Sequence, residues 1–552
     1  PATQKYALPH QYCNGTITLV HNGIIENVQE LREYLAAQGS CPLTDHYVSD
    51  TDSEVVAHLI GHFKKSFPFR EAVEQALKRL RGSYAFLIID KATPDTLIAV
   101  RLGSPLLLGV RSAHATQHDI AIVSSAEPLA NHGYSQVRAL EDGDLVEIKA
   151  GRYPESVRFY QQGLPQATPG LDRLDVKAAY ADKGQSATFL EKEIREQPEV
   201  AETVIHSHYT ETEARLGGFA AWTSDELKKI QRVWLIAEGT SLRAAEVGAE
   251  WFRRYAKLDA TTQLASEFAL NPGRLDPLHS LYIVLSQSGE TADVRVAAEE
   301  IVRQGGKLFG LVNVVGSSIA RLVGTHGGGM YTHAGPEISV ASTKVFTAQL
   351  SQLAVLTILF SRNVHGTMSP LEAERWIQEH RKIPQLIKQT LSCWDTVARV
   401  AQELQGATRG VLYIGRGTSL ALAREGALKL LELSYLNAVA YSAGEMKHGM
   451  IALIDPDFPT IAVAPADDYY SKTVGNVHEI KARNGKVFAI VTQGDTELFR
   501  LADKVIEIPK THEAFYPILA AIPLQILAHE AARLRGCAID KPRNLAKSVT
   551  VQ

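Results

Sequence analysis

Val233-Trp234-Leu235-Ile236-Ala237-Glu238-Gly239-Thr240-Ser241-Leu242 returns 178 residues later as Val411-Leu412-Tyr413-Ile414-Gly415-Arg416-Gly417-Thr418-Ser419-Leu420. Each copy is a short apolar run followed by Gly-Thr-Ser and a helical stretch, the pattern of a β-α unit on a parallel sheet. The following apolar runs, ending at Ser286 and Ala464, are again 178 apart, and Gly306-Lys307 with Asn313 matches Gly485-Lys486 with Thr492 at 179. Three landmarks in register across β-α-β-α-β predict two copies of one parallel α/β domain, 222–380 and 395–540.

Outward from the repeat, 552 residues predict three or four domains. The stretch 161–185, rich in Gly, Pro, Ala and polar residues, reads as a linker. Before it the rhythm differs: Ile17–Val20 and Ala85–Ile89 read as strands, Glu26–Leu35 and Ser53–Phe63 as amphipathic helices. A net charge of −4 supplies no global positive field for nucleic acid or anionic lipid. The four cysteines, Cys13, Cys41, Cys393 and Cys537, form no C-x-x-C and fit a reducing cytoplasm rather than a disulfide scaffold or thiolate metal site. The apolar span Val345–Phe360 is interrupted by Thr347, Gln349, Ser351 and Gln352, falls short of the roughly 20 residues a bilayer needs, and reads as a buried helix. The opening PATQKYALPHQY lacks the charged start and apolar run of a secretory signal.

The strongest local signal is Ser286-Gln287-Ser288-Gly289-Glu290-Thr291, at the end of an apolar strand and the start of a helix. Open parallel sheets bind ligands there, and backbone N–H groups, hydroxyls and a glycine make a phosphate cradle. Simple N-capping would explain one hydroxyl. The second copy has Ala464-Pro465-Ala466-Asp467 instead, so the pair is expected to hold one phosphorylated ligand. Val340-Ala341-Ser342-Thr343-Lys344 and Gly239-Thr240-Ser241 are candidate second walls, with capping again the plain alternative.

The helix from Ala421, ALAREGALKLLELSYL, is apolar around most of its circumference, yet Glu425, Lys429 and Glu432 form one stripe. An exposed ion-pair stripe is the ordinary reading. On a helix with little circumference left for solvent, carboxylate, amine and carboxylate supply a base and a cation for proton transfer. His448, in Gly444-Glu445-Met446-Lys447-His448-Gly449, stands out among nineteen histidines, and Lys547 lies near the chain end, where it could be merely frayed. His206-Ser207-His208 has metal-like spacing without a third ligand and reads as surface. In the N-terminal part Val20-His21-Asn22-Gly23 is expected to end a strand in a strand-to-helix turn able to stabilise an oxyanion, and Asp52 reads as a helix N-cap.

Taken together, VHNGIIEN, SDTDSE, EGTS, LSQSGETAD, VASTK, EGALKLLELSY, GEMKHG and PRNLAKSVTV closely resemble the glutamine–fructose-6-phosphate aminotransferase (isomerising) family, over nearly the whole chain. The resemblance implies an α+β, N-terminal-nucleophile-type glutaminase domain, incomplete at its front (1–160), and a linker and connecting helix (161–221). Two tandem sugar-isomerase α/β/α domains with parallel sheets (222–380, 395–540) and a catalytic tail (541–552) follow. Ser286, Gln287, Ser288 and Thr291 would hold the phosphate of fructose 6-phosphate, with Thr240, Ser241, Val340 and Ala341 lining the sugar. Lys547 would form an imine at C2, Glu432 would move the proton between C1 and C2 with Lys429 in support, and His448 would reach across a homodimer to open the ring. Asn22 and Gly23 would form an oxyanion hole, and Asp52 would hold the α-amino group of glutamine. No metal, organic cofactor, nucleic acid or membrane is implied, and the location would be cytoplasmic.

Departures qualify the resemblance. The family's nucleophile is an N-terminal cysteine, whereas this chain begins with Pro1, neither Cys13 nor Cys41 stands in a matching place, the stretch with the family's glutamine-gripping Arg and channel-gating Trp is absent, and Leu8 occupies a position usually held by His. Near the sugar site Glu238 replaces a usual Cys, Asn437 a usual His and Met450 a usual Pro. The expectation is a chain that isomerises sugar phosphate or uses free ammonia but not glutamine. Alternatives are a fructosamine-phosphate deglycase or isomerase, and a non-catalytic sugar-phosphate-binding regulator, which would have no use for Lys547, Glu432 and His448 together.

Overall fold

The computed structural model describes residues 9–12, 16–39, 47, 49, 51–102, 104, 106–114, 117–124, 128–129, 132–173, 183–209, 213–214, 217–219 and 222–549. Pro1, Leu8, Cys13 and Cys41 lie outside the described residues. The chain divides into two compact units, the first running to Asp182 and the second from Lys183 to Ser548.

The first unit is antiparallel. Its larger sheet runs in the order His10–Tyr12, Ile17–Ile25, Gly82–Asp90, Thr93–Leu102, Asp144–Lys149, Val157–Gln161, Leu164–Gln166. Period-two alternation covers both of its faces: Phe86 and Ile88 join the core under helices Val28–Ala37, Asp52–Lys64 and Phe69–Leu77, whereas Ala85 turns toward the other sheet with Leu108 and Val146. That sheet has the order Asp172–Arg173, Gln136–Ala139, Leu107–His114, Gln117–Val123. The stretch 161–185, read as linker, thus carries two short strands, Leu164–Gln166 and Asp172–Arg173. Neither shows alternation, because Leu164–Gln166 is exposed throughout and Asp172–Arg173 is only two residues long.

The second unit opens with helices Phe189–Arg195 and Gln197–His208 and then holds the repeat. One five-stranded parallel sheet has the order Asp259–Leu264, Arg232–Ala237, Ser280–Ser286, Lys307–Val312, Gly328–Tyr331. The other has Ala438–Ser442, Val411–Gly415, Thr460–Ala464, Val487–Thr492, Lys504–Ile508. In chain order both read 2-1-3-4-5, so strand order reverses between the first and third strands, and a crevice opens at their carboxyl ends. In the first sheet those ends deliver Gly239 and the cradle at 286–291. One apolar core runs through both repeats, joining Leu235, Ile283 and Phe309 to Tyr413, Ile461 and Phe488. Helices Lys344–Ile358 and Tyr516–Leu534 belong to it: all of the first is buried, as is the second through Ala532. With the helical turns that extend them, the segments Lys344–Val364 and Glu513–Leu534 are long and apolar enough to cross a membrane by length and composition, and 94% and 100% of their apolar windows are buried inside the protein.

Candidate active site

At the cradle, Gly289 adopts φ +67°, and a Cβ there would collide with Ser317 Oγ, so only glycine fits without displacement. Ser286 Oγ accepts the Gly289 N–H at 2.9 Å and lies 3.0 Å from Thr291 Oγ1. Thr291 occupies the N-cap of helix Ala292–Arg303 without a capping hydrogen bond from its side chain. Capping therefore does not account for that hydroxyl. Ser288 Oγ accepts from the Glu290 N–H and lies 2.9 Å from the hydroxyl of Ser548, next to Lys547. The half-buried Gln287 completes the loop.

Lys547 Nζ donates to Glu337 Oε2 at 2.6 Å and to the Ser339 carbonyl at 2.7 Å, which sets it beside Val340 and Ala341. Glu337 is buried, and its other oxygen accepts the N–H groups of Thr343 and Val345 at the start of helix Lys344–Ile358. Capping, the plain reading of Val340–Lys344, is thus performed by Glu337. Burial alone would raise the Glu337 carboxyl, but the Lys547 ammonium outweighs it and holds it below the ordinary carboxylate range. Behind it, Glu193 accepts the N–H groups of Ile338 and Ser339. Burial, with the charge of Glu337 adding to it, pushes Glu193 up to about 8. The sequence reading missed both carboxylates, because nothing local marks an acid whose partners stand 145 and 210 residues away.

The stripe on helix Thr418–Ser434 is enclosed: Glu425 and Lys429 are 0% and 1% exposed. Lys429 Nζ pairs with Glu432 and stands 3.7 Å from Glu425 Oε1. Burial opposes the ammonium's charge, yet Glu425 and Glu432 outweigh it and hold Lys429 above its ordinary value, with Glu337 adding to the same field. From the other repeat, Thr240 Oγ1 donates to Glu425 Oε1 at 3.2 Å, while Ser241 Oγ accepts from Gln349. Contacts and fields thus run from Thr240 through Glu425, Lys429, Glu337 and Lys547 to Ser548 and the cradle.

His448 stands apart, exposed in the 3-10 turn Glu445–His448, and its ring makes no hydrogen bond or ion pair among the described residues. Glu238 accepts the N–H of Ser266 at 2.8 Å, in the first turn of helix Ala265–Leu270, which follows the neighbouring strand. Asn437 is exposed and uses its carbonyl to accept the Val411 N–H, and Met450 packs partly buried beside Met446. His206 is exposed, as a surface reading expects, whereas His208 is half-buried with a ring nitrogen bonded to the Val204 carbonyl.

In the first unit the expected strand-to-helix turn at Asn22-Gly23 is corrected. The strand continues through both residues, paired with Ala85 and Tyr84, and ends at Ile25. Ladder hydrogen bonds overrode the Asn-Gly signal. Asp52 is likewise shifted by one position, being the first helical residue after N-cap Thr51. Its carboxylate accepts the Ile25 N–H at 2.9 Å and the Ser53 N–H at 2.7 Å. Burial pushes it up, but His21 and these N–H groups prevail and hold it at about 2.

Comparison with known proteins agrees with this architecture. A glutamine amidotransferase domain model matches residues 6–129, and a SIS domain model matches 226–359 and 406–535. The aminotransferase named glutamine–fructose-6-phosphate aminotransferase (isomerising) from Chlorobaculum tepidum is 39% identical over 556 aligned residues, covering 100% of this chain and 87% of that protein. Its namesake from Thermus thermophilus is 38% identical with the same coverage. The C-terminal domain of glucosamine-fructose-6-phosphate aminotransferase from Francisella tularensis superposes with a TM-score of 0.62 at 31% identity, covering 65% of this chain and 100% of that domain. Tagatose-6-phosphate ketose/aldose isomerase from Escherichia coli shares the fold, with a TM-score of 0.52 at 18% identity over 65% of this chain and 96% of that one. With a full-length match and two sugar-isomerase repeats behind a glutamine amidotransferase domain, the chain belongs to the glutamine–fructose-6-phosphate aminotransferase (isomerising) family.

Proposed function

We propose that the chain forms glucosamine 6-phosphate from fructose 6-phosphate, the family's reaction with nitrogen from glutamine, and that the residues described above carry out its ammonia-dependent sugar half. The observation that carries the reading is Lys547, held 2.6 Å from a buried carboxylate while its neighbour Ser548 bonds the cradle serine Ser288. Ser286, Gln287, Ser288 and Thr291 hold the phosphate, and Thr240, Ser241, Val340 and Ala341 line the sugar. Deprotonated Lys547 attacks C2 of the open-chain ketose; a C–N bond forms, and the carbonyl oxygen leaves as water. Ammonia then takes the place of Lys547 at C2. Glu432 removes a proton from C1 and returns it to C2, the hydroxyl proton of C1 passes to nitrogen, and an aldose with an amine at C2 results. Lys429 stabilises the enediolate-like charge between these steps.

The exposure of His448 suits a residue that works across a subunit boundary, opening the ring in the neighbouring site of a homodimer. In the glutaminase half, Asn22 and Gly23 serve the oxyanion and Asp52 the substrate's α-amino group. The reaction needs no cofactor, and its place is the cytoplasm. Borohydride reduction in the presence of fructose 6-phosphate tests the imine. A covalent adduct mapped to Lys547 and lost in Lys547→Ala is expected; tight binding with no adduct would turn the assignment toward a regulator.

A further inference from the structure

Glu425 has no role in the scheme above, yet it is the most enclosed member of its stripe. One oxygen accepts from Thr240 and faces Lys429 at 3.7 Å; the other, Oε2, is buried without a hydrogen-bond partner. Its titratable neighbours are Lys429 and Glu432 on its own helix and Arg243 on helix Gly239–Trp251, whose guanidinium is paired with Glu246. Two carboxylates thus flank one buried ammonium.

We infer that Glu425 is a positioning residue for the C1-to-C2 proton transfer, acting as the second counterion of Lys429 while Glu432 carries the substrate proton. The inference rests on the assignment of Glu432 and Lys429 just given. At rest Lys429 pairs with Glu432. Once Glu432 takes the C1 proton it is neutral, and the negative charge that balanced the buried ammonium has moved onto the substrate; Glu425 remains as the fixed carboxylate that keeps Lys429 charged and in place until the proton is returned. A movement of roughly 1 Å brings Nζ from its present distance to charge-assisted hydrogen-bond length on Glu425. The proton passes only from C1 to Glu432 to C2; Glu425 exchanges none and must be ionised throughout. Burial, with the charge of Glu432 adding and that of Lys429 opposing, pushes Glu425 up to about 7. The working form is therefore lost as pH falls below neutrality.

The test is the pH profile of kcat for isomerisation of fructose 6-phosphate to glucose 6-phosphate, run on the full chain. Glu425→Gln, which fixes the neutral form, is expected to lower kcat at pH 8 about tenfold or more, to leave KM within about twofold, and to remove the acid limb near neutrality. Glu425→Asp is expected to restore part of the rate together with the limb. Thr240→Val removes a donor that favours the carboxylate, so its limb is expected to move to higher pH. Thr240→Val reads the same property if Glu425→Gln does not fold. A limb unmoved in every folded variant overturns the inference, as does a loss of activity carried entirely by KM. The Lys547 adduct distinguishes the two levels: absent from the wild-type chain, it sinks the site assignment, whereas intact in Glu425→Gln beside an unchanged limb, it sinks only the role of Glu425.

Discussion

Gly289 combines two constraints in one residue, a left-handed φ and a side chain's worth of space already filled by Ser317 and Val312. Gly289→Ala is expected to cost roughly 1–3 kcal/mol and to raise KM for fructose 6-phosphate more than it lowers kcat. Thermal melting beside steady-state kinetics checks this; a variant with unchanged Tm and KM would show that the turn tolerates a Cβ. The cradle was legible in the sequence because a strand end, three hydroxyls and a glycine are local features. Glu337 was not, since its significance lies in Lys547, Thr343 and Val345 meeting it in space. Asp52 was half-legible: Ser-Asp-Thr-Asp before an apolar run announces a helix start, but the N–H of Ile25 that its carboxylate accepts lies 27 residues earlier.

At the scale of elements, helix Thr418–Ser434 shows why an apolar circumference matters more than a charge pattern. The same spacing on a solvated helix makes a weak ion-pair stripe, whereas here neighbouring helices exclude water from Glu425 and Lys429. Periodicity sufficed to find this helix and three strands of each parallel sheet; Asp259–Leu264, Gly328–Tyr331, Ala438–Ser442 and Lys504–Ile508, at the second and fifth places in chain order, were not read. It did not carry the Asn22-Gly23 turn, because an antiparallel neighbour can hold a strand through a turn-forming dipeptide. Helix Phe189–Arg195 contributes Glu193 beneath the segment that carries Val340 and Ala341. Its folded-state carboxyl lies at about 8, well above its ordinary value, so between those two values the folded chain binds a proton that the unfolded chain lacks. Stability from this group is therefore present at low pH and declines as pH rises toward 8. Glu193→Gln keeps an oxygen for both N–H groups and is expected to flatten that decline, gaining roughly 1–3 kcal/mol on the wild type at pH 8 relative to pH 5. Tm measured across this range decides; parallel curves would show that Glu193 is ionised in the folded chain.

For the repeat unit as a whole, two copies of one scaffold have diverged at the same topological point. In the second copy the crevice is occupied by the protein itself. Tyr469 lies across Gly417, and Arg254 from the first repeat pairs with Asp468 and Glu513, with Asp467 alongside. Carboxylates in that crevice oppose a phosphate dianion, so calorimetric titration is expected to find one fructose 6-phosphate per chain; two equivalent sites would contradict the divergence. The single site then raises the question of where its ring-opening histidine comes from, since His448 points to no partner within its own described chain. If each site takes Lys547 from one subunit and His448 from its neighbour, two inactive variants hold complementary halves. A mixed dimer of His448→Ala with Lys547→Ala has one site with both residues intact and one with neither. Random exchange makes about half of the dimers mixed, so roughly a quarter of wild-type activity should return, because only one arrangement in a symmetric two-fold assembly is whole. Mixing the purified variants under exchange conditions and assaying isomerisation measures this directly. No recovery despite demonstrated exchange would place ring opening within the subunit and require His448 to approach Lys547 of its own chain.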